Sequence, residues 1–401
     1  MHEIYLDNSA TTKMCESAVK VMVDTINNNY GNPSSLHTKG FEAERILETS
    51  RKNISKFIVC EKDEIYFTSG GTEANNLAIM GTMSKVRDKD KYNVVTTSME
   101  HPSVLNTFKK LEKDGFEVRY ISPDSSGEIS IEKFQEAIDE NTKLVSCMMV
   151  NNEIGCVYPA QSIKQVIKQK KSDALLHIDA VQAFGKIPIN VKKWQIDLLS
   201  ASAHKIHGPK GIGFLYVNKN VKINPVVFGG GQEKGLRSGT QAVPLIAAFS
   251  EAVNELSNYK DTYIKIKELN EYCRNLLSSI DRVYINSNNN CLPYVLNFSV
   301  KGIRAETILH YLSSKGIYVS SGSACSKGHQ SYVLKAMGLS DDLINSSIRV
   351  SFCRSNTKED VEKLVLEINN AIDNLIKVWL EFKNERSNIS KIRRNCFKGF
   401  K

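Results

Sequence analysis

The chain has 401 residues, ordinary hydrophobic and charged fractions of 41% and 24%, and a net charge of +9. That length allows a large core and two domains. The basic excess is modest and comes with no nucleic-acid recognition motif, which leaves a DNA-binding role poorly supported.

No apolar run approaches the roughly 18 residues of a membrane span. Met1-His2-Glu3-Ile4 lacks the basic and apolar regions of a signal peptide, so a cytoplasmic protein is expected. The nine cysteines are scattered and include no Cys-x-x-Cys, which argues against a disulfide framework and a structural zinc site.

In chain order, residues 4–12 read as a short strand and a polar turn. A helix follows over 18–26, then a loop at 30–37 on its turn residues, and an amphipathic helix over 40–57. Glu64 to Thr68 reads as a strand. It runs into Ser69-Gly70-Gly71-Thr72 and a helix through Met80. A strand, a Gly-rich turn and a helix start offer backbone N–H groups and a positive dipole end to a phosphate. Many such turns bind nothing, and this one is neither a P-loop nor a dinucleotide fingerprint.

The next strand, 93–97, ends at Glu100-His101-Pro102-Ser103. His101 suits either ring stacking and proton transfer or a plain capping role. Strands over 118–121 and 144–150 flank a helix at 131–138, and the second strand leads to Asn151-Asn152-Glu153-Ile154-Gly155. A helix over 162–170 precedes His177-Ile178-Asp179-Ala180-Val181-Gln182, the end of a buried strand. Asp197 to Ser200 leads into Ser202-Ala203-His204-Lys205 and a Gly/Pro turn, and a strand follows over 212–217.

Strands alternating with helices predict a mainly parallel sheet covered on both faces. Thr72, His101, Asn152, Asp179 and Lys205 all follow strands. They should therefore share its carboxyl edge, where open α/β folds bind ligands. Most lysines are solvated surface charges. Lys205, however, sits among small residues with space for a flat ring, a setting for a Schiff base with a carbonyl cofactor such as pyridoxal phosphate. Asp179 supplies the carboxylate that such a ring nitrogen needs.

A Gly-rich loop spans 228–240. Helices follow over 243–257 and 264–280, a strand over 295–300, a helix over 305–314, strands over 317–320 and 348–352, and a helix over 358–376, which together predict a smaller α+β domain. Gly322 and Gly328 flank Cys325, with Lys327 and His329 nearby to favour its thiolate, the reactive form. A nucleophile on a swinging loop suits delivery of cargo outside the site. The tail beyond residue 376 is basic, and a solvated end is its plainest reading.

These residues form a known pattern. Tyr-Leu-Asp-Asn-Ser-Ala-Thr-Thr at 5–12, Gly-Asn-Pro-Ser-Ser at 31–35, Phe-Thr-Ser-Gly-Gly-Thr-Glu at 67–73 and Asn-Asn-Glu-Ile-Gly at 151–155 belong to it. So do His-Ile-Asp-Ala-Val-Gln at 177–182, Ser-Ala-His-Lys-Ile-His-Gly-Pro-Lys-Gly at 202–211, Arg-Ser-Gly-Thr at 237–240 and Ser-Ser-Gly-Ser-Ala-Cys at 320–325. On these motifs the chain resembles the group I cysteine desulfurases of NifS/IscS type, in the class-V aminotransferase family, up to about residue 376.

The resemblance implies the pyridoxal 5'-phosphate-dependent transferase fold type I. It implies a large domain at 15–250 with a seven-stranded sheet, a small domain of 1–14 and 251–376 carrying the Cys325 loop, and a basic tail at 377–401. It also implies roles. Lys205 would bind the cofactor and move protons, Asp179 would pair with the ring nitrogen, Gln182 would contact the ring oxygen, and His101 would stack and act in acid–base catalysis. Gly71, Thr72, Ser202 and His204 would hold the phosphate, with Thr240 reaching in from the other subunit of a homodimer.

Asn32, Asn152 and Arg354 would bind the L-cysteine substrate, the arginine fork taking its carboxylate. Cys325 would take the sulfur as a persulfide, and alanine would leave. The acceptor, an iron–sulfur scaffold or a tRNA-thiolation partner, stays open because the basic C-terminal end differs from that of scaffold-coupled members. Two rivals remain: another pyridoxal enzyme, such as an aminotransferase or a selenocysteine lyase, and a non-catalytic scaffold that keeps the fold.

Overall fold

A computed structural model describes residues 3–321 and 330–375. Its strands are β1 (Ile4–Tyr5), β2 (Ile65–Thr68), β3 (Asn93–Thr97), β4 (Glu117–Ile121), β5 (Thr142–Met148) and β6 (Leu175–Asp179). They continue as β7 (Leu198–Ser202), β8 (Gly213–Val217), β9 (Val283–Ile285), β10 (Val295–Val300), β11 (Ile317–Tyr318) and β12 (Ser347–Ser351). Seven of them form one sheet in the order β2-β8-β7-β6-β5-β3-β4. β8 is antiparallel to both neighbours and the other pairs are parallel, so β8 alone runs against the rest of this sheet. The expected mainly parallel, seven-stranded α/β layer is present.

β3, β7 and β8 are buried at every position. Helices cover both sheet faces, so these strands read as continuous apolar runs without alternation. The helix Gly71–Met83 is buried on most sides, with Ala74, Leu77, Ala78, Ile79 and Met83 all inside. Its periodicity is correspondingly weak, which is why the sequence pattern places its end near Met80. The helix Thr38–Phe57 has a clearer stripe of Ala43, Leu47 and Ile54, and the His37 side chain caps it by accepting from Gly40 N.

Some boundaries move for physical reasons. β5 stops at Met148 rather than Val150, because after the last ladder bond, from Met149 N to Asp179 O, the chain pairs with itself: Tyr158 N donates to Met149 O and Val150 bridges Val157. The chain thus leaves the sheet two residues early. The helix expected over 243–257 is Val243–Asn254 continued by a 3-10 turn, and the next helix starts at Tyr259.

A three-stranded antiparallel sheet, β12-β10-β9, forms the core of the second part of the fold. The N-terminal segment joins this part: β1 pairs with β11, and Asp7 bridges Ser351. These pairings place residues 4–7 beside β11 and β12. The tail at 377–401 and Cys325 lie outside the described residues. No described helix is long and apolar enough to cross a membrane.

A buried ion pair pins the Gly-rich loop to the large sheet. Arg51 on the Thr38–Phe57 helix makes two 2.9 Å hydrogen bonds to the Glu233 carboxylate and a further one to Ile65 O. Phe67 N donates to Glu233 Oε2 at 2.8 Å, which ties β2 into the same cluster. Glu233 adopts φ = 47°, a left-handed conformation for a residue with a Cβ. Such strain costs roughly 1–3 kcal/mol and persists only where surrounding contacts over-determine it. Glu233→Ala leaves the guanidinium buried without its partner, and the expected loss of stability is about 3–5 kcal/mol. Urea unfolding checks this; a loss below about 1 kcal/mol, the range of an exposed pair, would mean that the pair does not hold the loop.

Candidate active site

The carboxyl ends of β2, β3, β5, β6 and β7 open on one cavity of about 400 Å³. Its lining includes Gly71, Thr72, His101, Asn152, Asp179, Gln182, Ser202, His204 and Lys205. Each follows from local geometry. Gly70 takes φ = 151°, which favours glycine, and turns the chain from β2 into the helix at Gly71. A Cβ on Gly71 would lie 2.6 Å from Val181 Cγ2, so the helix start lies close against the loop after β6. No side chain caps this 13-residue helix, so its first N–H groups face the cavity without a side-chain acceptor.

Asp179 is the last residue of β6. Its carboxylate accepts from Asn75 Nδ2 at 2.7 Å and from Val181 N at 2.9 Å. Asn75 Nδ2 also reaches Ser103 Oγ at 2.9 Å, and Ser103 Oγ lies 2.8 Å from His101 Nδ1. This chain of polar contacts fixes the imidazole plane. His101 also caps its own helix by accepting from Ser103 N, which leaves Nε2 to carry the proton of the neutral ring. Burial holds His101 below its ordinary pKa, with Asp179 opposing and Lys205 adding to the shift.

Lys205 ends the 3-10 turn after β7, and its Nζ donates to Ser9 O at 2.6 Å and Ala10 O at 2.7 Å. His204 Nδ1 lies 3.2 Å from Thr11 Oγ1, and burial, helped by Lys205, lowers its pKa to about 4. Gln182 donates from Nε2 to Ser9 O, and its Oε1 accepts from Lys186 Nζ, both at 3.0 Å. Burial, with Lys205 and Arg349 nearby, lowers the Lys186 pKa to about 7.

The cavity's far wall differs from the sequence expectation. Arg354 does not line it. Its guanidinium pairs with Glu255 at 3.0 Å and lines a neighbouring narrow cavity of about 40 Å³. The arginine that lines the cavity is Arg349, inside β12 and 2% exposed. Arg349 donates to Asn152 O at 3.0 Å and to Asp7 Oδ1 at 2.8 Å. Arg349 Nε and Asn152 Oδ1 are buried without a hydrogen-bond partner. An arginine in the middle of a wholly buried strand was the available signal, since buried charge is rare without a specific partner or role.

Asn32 is not brought to the cavity either. It lies exposed in a turn where its side chain accepts from Ser34 N. Thr240 is exposed and lines no part of its own chain's cavity. Cys325 belongs to the segment outside the described residues, but both flanks of that segment are placed. Ser320 bridges Arg349, Ser331 Oγ donates to Glu153, and the Tyr332 hydroxyl donates to Glu100 O at the cavity wall.

The sequence profile of the family described as "Aminotransferase class-V" matches residues 4–364. A protein of Bacillus subtilis named putative cysteine desulfurase IscS 1 is 42% identical over 383 residues, 94% of this chain and all of that protein. Among solved structures, a NifS-like protein superposes with a TM-score of 0.88 at 36% identity, over 93% of this chain and all of the other. Another, titled SspA in complex with cysteine, has a TM-score of 0.78 at 34% identity over 88% of this chain and all of that one. The chain belongs to the class-V aminotransferase family, in its NifS/IscS-type cysteine desulfurase branch.

Glu100 lies beneath this site with no exposed surface. Burial raises its pKa to about 8, against the hydrogen bonds from Met148 N and Thr97 Oγ1. The folded protein thus binds this proton more tightly than the unfolded chain. Its contribution to stability is full below about pH 4.5 and is lost as pH rises through about 8. Glu100→Gln keeps an acceptor for both donors and removes the titration. Urea unfolding at several pH values in that window should show a shallower fall of stability in the variant; equal slopes would locate the titration elsewhere.

Proposed function

We propose that this cysteine desulfurase works with pyridoxal 5'-phosphate held between Lys205 and Asp179, and that Cys325 takes the sulfur of L-cysteine as a persulfide. The observation that carries the reading is that Lys205 and Asp179 line one cavity together with Arg349 and Asn152, whose Nε and Oδ1 are buried without a hydrogen-bond partner. The residues fit the cofactor. The uncapped helix start at Gly71–Thr72, together with Ser202 and His204, suits a phosphate. Asp179 suits a ring nitrogen, Gln182 a ring oxygen, and the His101 plane a ring face. When bound, the cofactor supplies a carbonyl that joins to amines and a protonated ring that withdraws electrons from the substrate Cα.

The chain's own residues do the rest. Arg349 and Asn152 orient the substrate by its carboxylate, the role expected of Arg354 from sequence. Lys205 Nζ moves the Cα proton. His101, neutral because of its burial, takes or returns a proton near the leaving sulfur. The Cys325 thiolate attacks the substrate sulfur, a sulfur–sulfur bond forms as the Cβ–S bond breaks, and Cβ is protonated to give alanine. The persulfide then passes to an acceptor protein, an iron–sulfur scaffold or a tRNA-thiolation enzyme. Thr240, on the loop pinned by Arg51 and Glu233, completes the phosphate site of the second subunit of a homodimer.

The experiment is sulfide release from L-cysteine with reductant, run beside the visible spectrum. Cys325→Ser should keep the cofactor band and lose sulfide release. A coloured and equally active serine variant would move the reading to a lyase or aminotransferase.

The two arginines separate cleanly. Arg349→Lys loses the fork, and a charge-assisted hydrogen bond of roughly 1.5–3 kcal/mol corresponds to about a 10- to 100-fold fall in kcat/KM for cysteine with the cofactor band retained. Arg354→Ala should stay within about twofold of the parent, as expected for an exposed pair. The reverse order would return the carboxylate to Arg354.

A further inference from the structure

Outside the catalytic cavity, two thiols lie together. Cys156 Sγ and Cys291 Sγ are 3.2 Å apart, from positions 135 residues apart in sequence. Cys156 follows the Asn151–Gly155 turn, and Cys291 lies in the loop before β10. Three features hold them in register. Leu292 N donates to Gly155 O at 2.7 Å. Gly155 has φ = 79°, and a Cβ there would lie 3.1 Å from Leu292 O and Val295 Cβ and 3.4 Å from Cys291 Cβ, so glycine is what lets the loops approach. Asn288 spans the pair, its Nδ2 donating to Cys156 Sγ and its Oδ1 accepting from Cys291 Sγ, both at 3.5 Å.

The two thiols differ in access. Cys156 is 1% exposed, and the sulfur of Cys291 beside it, together with burial, holds its thiol well above the ordinary range. Cys291 is partly exposed and lines a surface cavity of about 500 Å³ with Asn270, Arg274, Asn289 and Asn290. Arg274, tied to Ser287 O and Asn288 O, lines that cavity together with Lys267 and Glu271. Three of the other free cysteines, Cys147, Cys273 and Cys353, are buried, and among the described residues none of them has another cysteine sulfur as a partner.

We propose that Cys156 and Cys291 form a dithiol site that a peroxide oxidises to a disulfide, tying the loop that carries Asn152 to the loop before β10. A bond of about 2.05 Å needs only about 1 Å of closure from the 3.2 Å observed. The accessible Cys291 sulfur attacks one peroxide oxygen, the O–O bond breaks, and water leaves, giving a sulfenic acid. The Cys156 sulfur then displaces hydroxide from that sulfur, which departs as a second water with the Cys156 proton. Two thiols lose two electrons and the peroxide gains them. This chemistry uses neither Cys325 nor the desulfurase reaction.

The test is peptide mapping of the cofactor-loaded protein after treatment with hydrogen peroxide and alkylation without reductant. A linked Cys156–Cys291 peptide pair, released by dithiothreitol, is expected. Cys156→Ser should instead leave Cys291 as a sulfenic acid that dimedone labels, and Cys291→Ser should leave Cys156 as an alkylatable thiol, with sulfide release within about twofold of the parent in both, the range of a change away from the reacting atoms. The proposal is overturned if both thiols remain fully alkylated at a peroxide level that oxidises other cysteines, or if either is found linked to a different cysteine. Retained sulfide release in the serine variants would separate failure of this site from failure of the catalytic reading.

Discussion

The partly buried amine of Lys205 needs acceptors, and the N-terminal strap supplies them. Ser9 O and Ala10 O take its hydrogen bonds, Thr12 N and Thr12 Oγ1 donate to His204 O, and His207 N donates to Thr12 Oγ1. The same strap holds the other part of the fold. Asn8 Nδ2 donates to Ser351 O, Ser9 N donates to Ser351 Oγ, and Asp7 pairs with Arg349. Six residues thus connect the Lys205 turn to the strand that carries Arg349. A polar group left unpaired in such a place would cost about 1–3 kcal/mol, so the spacing between amine and guanidinium is fixed by hydrogen bonds that the fold cannot easily forgo.

Burial sets the charge states around that frame. His177, enclosed between Ser146 and Ser200, has its pKa lowered to about 3 by burial and serves as a neutral link between β5, β6 and β7. His101 and His204 are shifted the same way, and Lys186 is brought to about 7. Glu153 is raised to about 7 by burial, against the Ser331 hydroxyl and Arg349. Neutral histidines in the wall add no competing charge beside the Arg349 guanidinium, and in such a partly water-excluded site a fixed charge orients a substrate more strongly than in water.

Much of this was readable in the sequence, because the sheet is built from apolar strands whose ends carry the chemistry. Thr72, His101, Asn152, Asp179 and Lys205 are placed by backbone topology alone, and topology follows from the alternation of strands and helices. Arg349 was not readable by the same route. β12 is buried at all five positions, so no alternation tells which way Arg349 faces, and Arg354 just past the strand looks like the freer fork. The Arg51–Glu233 pair, 182 residues apart, and the Ser9 contact to Lys205, 196 apart, depend on tertiary packing that no local pattern encodes. Asn32 and Thr240 are exposed, and the roles expected of them came from motif identity alone, not from any pattern that places them at the cavity.

The loop from Met149 to Tyr158 shows how one local device serves two ends. It leaves the sheet after the ladder bond from Met149 N to Asp179 O, and its two ends pair with each other through Tyr158 N to Met149 O and the Val150–Val157 bridge. That departure puts Asn152 at the cavity and lets Asn151 Oδ1 cap the turn by accepting from Glu153 N and Ile154 N. With the turn so fixed, Gly155 is driven against Leu292 and the Cys156 sulfur arrives beside Cys291. A strand continued to Val150 would have moved Asn152 away from Arg349 and Cys156 away from Cys291 together. The geometry of the far wall and the proximity of the two thiols therefore have one cause, the switch of the chain after Met149 from pairing with β6 to pairing with residues 156–158.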